Sequence, residues 1–352
     1  HNSWTPPIVA AVLGACTVLV LEKVFRADDA VNINTGDDMD MDHHSPPSKL
    51  SAGSLWAKLA QDPHPFTISY GCKEVQGKRP SMEDATCLQA QLGGYSGLSL
   101  FAVFDGHAGK ICAEYARDHL PLNFLTVLSR ELEGESGETI LEGVKSPPSR
   151  IDTATDPDIE LSVGQEALRN AFESTDADFL RMAEQQQLAE GATGVVAVIL
   201  GNMVLVGNAG DSRAVLSRGG TAFPLSFDHK PGLEKEKKRV MDAGGFVTGG
   251  RVMGMLAVSR ALGDMHFKKN DHFPIPLVTA SPELVSEFLA PEDEFLILAC
   301  DGLWDVISNQ DAVDLVKGFT DPEEAAAALV EAALKAGTLD NVSAIVVFLR
   351  HL

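Results

Sequence analysis

Between residues 195 and 223 strand signals follow one another too closely to leave room for a helix. Apolar runs at 195–200 and 203–206 flank the turn Gly201-Asn202, and a run at 214–217 is followed by Gly219-Gly220 and then Thr221-Ala222-Phe223. Two-residue turns join antiparallel neighbours, whereas parallel strands need a crossover of about a dozen residues or more. The middle of the chain is therefore antiparallel sheet. A doubly wound nucleotide fold is excluded there, and with it any cofactor role for the scattered glycines at 244, 245, 249 and 250.

Around that sheet, acids stand where apolar runs stop. Leu98–His107 reads as a buried strand closing on Asp105-Gly106-His107, and Phe295-Leu296-Ile297-Leu298-Ala299-Cys300 runs into Asp301-Gly302. Asp211 lies between two strand signals and Asp340 just before the run 342–349. A carboxylate beside a core costs several kcal/mol unless its charge is compensated. If these four ends converge, they form a hard-oxygen pocket suited to Mg²⁺ or Mn²⁺.

The remaining elements are simpler. A strand is expected at 66–70, a polar turn at 77–84, helices after His107, over 164–188 and over 231–243, and an Ala/Glu/Leu-rich helix at 322–335 with Pro in its first turn. Residues 131–160 carry nine acids against two bases and read as a solvated surface excursion. Three segments result: an apolar N-terminal stretch 1–25, an acidic Pro/Ser linker 26–64 and a globular domain 65–352. The uncharged run 8–21 is short of the ~20 residues that cross a bilayer. It gives two expectations, an anchor holding the domain on the cytoplasmic side of a membrane, or a signal peptide.

With 50 acids against 28 bases the chain carries a net charge of −22, which argues against a nucleic-acid partner. An anionic substrate would be repelled too, unless bound cations reverse the sign locally. Five cysteines without C-x-x-C spacing indicate neither a disulfide framework nor a zinc site, and point to a reducing, intracellular compartment. With no coiled coil or apolar stripe, a monomer is expected.

Seven short motifs occur in order. They are R-x-x-M-E-D at 79–84, D-G-H-x-G at 105–109, G-x-x-G-D-S-R at 207–213, D-H-K-P at 228–231 with Glu236 and Arg239 beyond it, S-R-A-L-G-D at 259–264, D-G-L-W-D at 301–305 and D-N at 340–341. The set resembles the metal-dependent protein phosphatases of type 2C, over roughly residues 66–352. The resemblance implies an α+β fold, a central sandwich of two antiparallel β-sheets flanked by α-helices on both sides. It implies a serine/threonine phosphatase acting on phosphorylated proteins, with two Mg²⁺ or Mn²⁺ ions and a weaker third.

Carried over position by position, Asp105 would bridge both ions, Gly106 would lend its carbonyl, and Asp301 and Asp340 would complete one shell. Glu83 and Asp84 would hold metal-bound waters, and Asp211 would share the looser third ion with Asp301. Arg79 would bind phosphate and His107 would act as general acid. Trp304 would pack beneath the site, Ser259, Arg260 and Asp264 would support it, and Lys268 would lie on the surface near the cleft. The alternative is a silent binding protein of the same fold. Retention of Asp105, Asp301, Asp340 and Arg79 speaks against it.

Overall fold

The computed structural model describes residues 64–133, 157–269 and 272–351. The expectations for the N-terminal apolar run, for the linker up to residue 63 and for 134–156 lie outside the described residues. Among the described residues no helix is long and apolar enough to cross a membrane.

Along the chain, β1 (Phe66–Val75) and β2 (Ala85–Gln89) lead to β3 (Leu98–His107), which is followed by the helices α1 (Ile111–Glu133) and α2 (Pro157–Gln186). Two hairpins come next, β4 (Gly191–Leu200) with β5 (Met203–Ala209), and β6 (Arg213–Arg218) with β7 (Thr221–Pro224). Then come α3 (Glu234–Asp242), a small hairpin of β8 (Val247–Thr248) and β9 (Arg251–Val252), β10 (Leu262–Gly263) and α4 (Met265–Lys268). The last stretch holds β11 (Glu283–Phe288), β12 (Asp293–Ala299), α5 (Asp301–Trp304), α6 (Asn309–Val316), α7 (Pro322–Ala336) and β13 (Val342–His351).

One sheet runs β1-β13-β12-β6-β7 and the other β11-β5-β4-β3-β2, with β10 added beside β4. Every pairing in both is antiparallel. Alternation along each strand divides the apolar residues between layers. On β3, Phe101 and Val103 face the other sheet and meet Leu216, Leu298 and Val347. Leu98, Leu100, Ala102 and Phe104 point the other way, under Leu120 and Phe124 of α1 and Leu168 and Phe172 of α2. On the sheet that holds β12 and β13, Ile297, Ala299, Ala344 and Val346 are covered by α6 and α7. Each such large side chain contributes about 1.5–3 kcal/mol by leaving water. The result is the expected sandwich with helices outside each sheet.

Two helix starts move. The acidic stretch is helical at both described ends, since α1 continues to Glu133 and α2 starts at Pro157 rather than at residue 164. The basic helix starts at Glu234 rather than at 231, because Pro231 belongs to a turn in which Lys230 O accepts from Leu233 N. The glycine-rich segment after it forms a hairpin with its own small core of Val240, Val252, Val258 and Leu277.

Candidate functional site

The register of β3 against β4 sets the first acid, pairing Asp105 with Thr193 and His107 with Gly191. Gly106 between them passes so close to the preceding loop that a Cβ would lie 2.3 Å from Glu83 O. β12 ends at Ala299, and Asp301 opens the short helix α5. Trp304 fixes that turn from below, its indole N–H donating to Ala299 O at 3.0 Å and Arg213 O at 3.1 Å. Asp340 precedes β13, and Asp211 sits in the turn between β5 and β6 over a Thr193–Ser212 hydroxyl pair at 2.8 Å.

The four strand ends do converge. Asp105, Asp211 and Asp301 bring carboxylate oxygens within 4.8 Å of one another, and a second group at the same separation joins Asp84, Asp105 and Cys300. Asp105 belongs to both. Asp105, Asp211 and Asp301, together with Asp340, Arg79, His107 and Arg251, line a cleft of about 300 Å³. Asp84 accepts from Ser343 Oγ at 2.7 Å through one oxygen, while its other oxygen is buried without a hydrogen-bond partner among the described residues.

Such a cluster of carboxylates cannot all ionise in an apolar setting. Burial, then the charges of Asp84 and Asp301, raise Asp105 well above the usual carboxylate range. Asp301 is pushed up to about 7 by burial and then by Asp211, and Asp84 to about 6 chiefly by burial. A hard divalent cation relieves all three, so the donor set fits Mg²⁺ or Mn²⁺. The sign for metal-free protein follows. Between about pH 4 and about pH 7 the folded state binds more protons than the unfolded one, so stability falls as pH rises. In chelator the melting temperature should drop between about pH 4 and about pH 7. Saturating divalent cation should remove that drop, and a flat profile in chelator would contradict the geometry.

Arg79 does not pair with Glu83 or Asp84, its sequence neighbours. Its Nη2 donates to Asp340 Oδ2 at 2.6 Å across the cleft, and the side chain remains 56% exposed. Glu83 stands apart from both carboxylate groups. Its oxygens accept from Ser81 Oγ at 2.6 Å and from Gly109 N at 3.1 Å. Asn341 clamps this loop, accepting from Glu83 N and donating to Gln76 O and Ser81 O. Gly302 is pressed against the same residue, where a Cβ would lie 1.9 Å from Asn341 O. Gly302→Ala should cost about 1–3 kcal/mol by displacing α5, and calorimetric titration with Mn²⁺ should show weaker binding.

His107 Nε2 meets the carboxylate of Asp264 at 2.9 and 3.0 Å. Burial disfavours the imidazolium, but the charge and hydrogen bond of Asp264 prevail, and the imidazole is raised above its usual value. Asp264 is left-handed at φ 55°, and its N–H is tied to Glu190 O at 3.0 Å. Beside it Gly263 N donates to Asp176 Oδ1 at 2.7 Å, and Lys268 Nζ reaches the same oxygen at 2.6 Å. Lys268 is thus not a surface residue: its side chain is 5% exposed, neutralised by an α2 acid that no motif contains.

Other motif residues turn out to be partners of each other. Arg213 forks onto Asp228 with both bonds at 2.8 Å, and Arg260 and Ser259 hold Glu236. Burial opposes ionisation of Glu236, yet Arg260, Ser259 and Arg239 bring its carboxyl down to about 2. Lys230 donates to Asp211, and its ammonium also lies 3.8 Å from Asp301 and 3.9 Å from Asp305. Neither Lys230 nor Asp305 was singled out in the sequence, although both fall within motifs.

A family profile described as protein phosphatase 2C matches residues 68–342. Probable protein phosphatase 2C 59 of Arabidopsis thaliana is 39% identical over 285 residues, covering 80% of this chain and 79% of that protein. Probable protein phosphatase 2C 69 of the same plant is 37% identical over 315 residues, covering 88% and 77%. Among solved structures, serine-threonine phosphatase 2C from Toxoplasma gondii superposes with a TM-score of 0.67 at 25% identity, covering 82% of this chain and 98% of that one. A sex determining protein of C. elegans gives a TM-score of 0.65 at 29% identity, covering 80% and 65%.

Proposed function

Since the chain belongs to the protein phosphatase 2C family and is a serine/threonine protein phosphatase, we propose that its acidic cleft is the catalytic centre and works with two Mg²⁺ or Mn²⁺ ions and a looser third. The observation that carries this reading is the meeting of Asp105, Asp211 and Asp301 within 4.8 Å. Asp105, common to both carboxylate groups, suits a bridging ligand. Gly106 O, Asp301 and Asp340 would be the further ligands, Asp84 and Glu83 would order water around them, and Asp211 would serve the looser ion. When bound, such ions lower the pKa of water so that hydroxide is available near neutral pH for in-line attack on phosphorus.

The protein's own groups do the rest. Arg79 uses one nitrogen on Asp340, and the remaining donors of its exposed guanidinium can fork onto two phosphate oxygens, which a lysine could match only as a point charge. His107 gives its proton to the departing seryl or threonyl oxygen, and Asp264 holds the ring for that transfer. No side chain need become phosphorylated. Phosphorylated proteins are the substrate class, and the open cleft suits a chain segment.

Phosphate release from phosphothreonine and phosphoserine peptides, followed across Mg²⁺ and Mn²⁺ titrations and in chelator, tests this reading. Turnover that requires the metal supports it. Folded protein without turnover at millimolar metal would leave a phosphatase-like binding protein instead.

A further inference from the structure

Lys230, on the loop between β7 and α3, pairs with two of the acids that line the cleft. Its ammonium donates to Asp211, whose side chain is 3% exposed, and stands 3.8 Å from an Asp301 oxygen and 3.9 Å from an Asp305 oxygen. Three carboxylates from two separate turns thus surround one primary ammonium. Two of them, Asp211 and Asp301, are also members of the carboxylate group centred on Asp105.

An ammonium and a hydrated divalent ion make similar demands on such a place, oxygen donors carrying negative charge. They differ in charge and in tether. The lysine supplies one charge at no cost in binding, because it is part of the chain. A divalent ion supplies two but must displace it. Lys230 can be displaced: its side chain is 37% exposed, and a flexible four-carbon stem lets the head move into water.

We propose that Lys230 is a tethered cation that occupies the outer, Asp211–Asp301–Asp305 side of the cleft, competes there with a divalent ion, and so sets how much Mg²⁺ or Mn²⁺ the enzyme needs to fill its weakest site. The proposal rests on the reading of the cleft as a divalent-cation centre and adds a residue that opposes the last ion. Asp305, exposed and outside the group that Asp105 forms with Asp211 and Asp301, becomes a ligand only when the lysine leaves.

The test is titration of the full chain with Mn²⁺ alone, read by calorimetry, in the wild type, Lys230→Met, Lys230→Arg and the double variant Lys230→Met/Asp305→Asn. Lys230→Met is expected to tighten the weakest Mn²⁺ step by about tenfold or more, equivalent to about 1.4 kcal/mol. Lys230→Arg should stay near the wild type, and the double variant should lose the gain. Thermal unfolding gives an independent readout. In chelator Lys230→Met should melt lower than the wild type, because three carboxylates have lost their cation, and saturating Mn²⁺ should raise its melting temperature by more than it raises that of the wild type.

If Lys230→Met proves poorly folded, Lys230→Gln, which keeps a polar donor, is read in the same two ways. Folded variants whose weakest Mn²⁺ step is unchanged would overturn the proposal while leaving the metal centre intact. A wild type that binds no Mn²⁺ at all would overturn the metal centre itself, and this proposal with it.

Discussion

Asp105→Asn is expected to cut phosphate release by at least about 10³-fold, since metal-derived stabilisation of several kcal/mol depends on it and each 1.36 kcal/mol is tenfold in rate. The same substitution should make metal-free protein more stable. Asp105 lies between two carboxylate groups, and burial and its neighbours already resist its ionisation. An amide of nearly the same shape removes that repulsion and keeps the packing of β3. Phosphate release measured beside thermal unfolding in chelator checks both halves. Lower activity together with a lower melting temperature in chelator would mean that Asp105 is a structural residue and not a metal ligand.

His107→Gln should lower turnover of a phosphothreonine peptide by about 10²–10⁴-fold. Turnover of p-nitrophenyl phosphate should barely change, because its leaving group departs without a proton. Asp264→Asn should act in the same direction and by at least about tenfold, since Asp264 touches no substrate and works by holding the imidazole at 2.9 Å. Ratios of the two substrates' kcat values separate this role from loss of structure, which would lower both alike. Equal losses on both substrates would remove His107 from the proton transfer.

The α+β sandwich was legible because its signals are local. Two-residue turns at 201–202 and 219–220 declare antiparallel pairs, and Pro322 with the Asp321 cap opens α7 where the pattern placed a helix. Helix starts were less legible. Pro157 lies in the acidic stretch, where charge pattern alone reads as loop, and α3 begins after a turn that a basic pattern does not reveal. Nor did alternation mark which face of β3 meets which layer. Both faces are buried, so its apolar run from Leu98 to Phe104 has no polar side to betray a period.

Asp105, Asp301, Asp340 and Asp211 were each identified by the apolar run beside them, an arrangement that a few residues decide. The partners of the charged groups were decided only by the tertiary structure. His107 and Asp264 are 157 residues apart, Arg79 and Asp340 are 261 apart, and Asp176 and Lys268 are 92 apart. The sequence by itself determined that acids end strands and that those strands form hairpins, because backbone period and turn geometry are set by immediate neighbours. Which cation faces which acid, including the lysine seated among Asp211, Asp301 and Asp305, depends on how two sheets and their helices stack. Where no turn joins two strands, as between β1 and β13, a shift of one residue in register would turn every side chain to the other face, and nothing local prevents it.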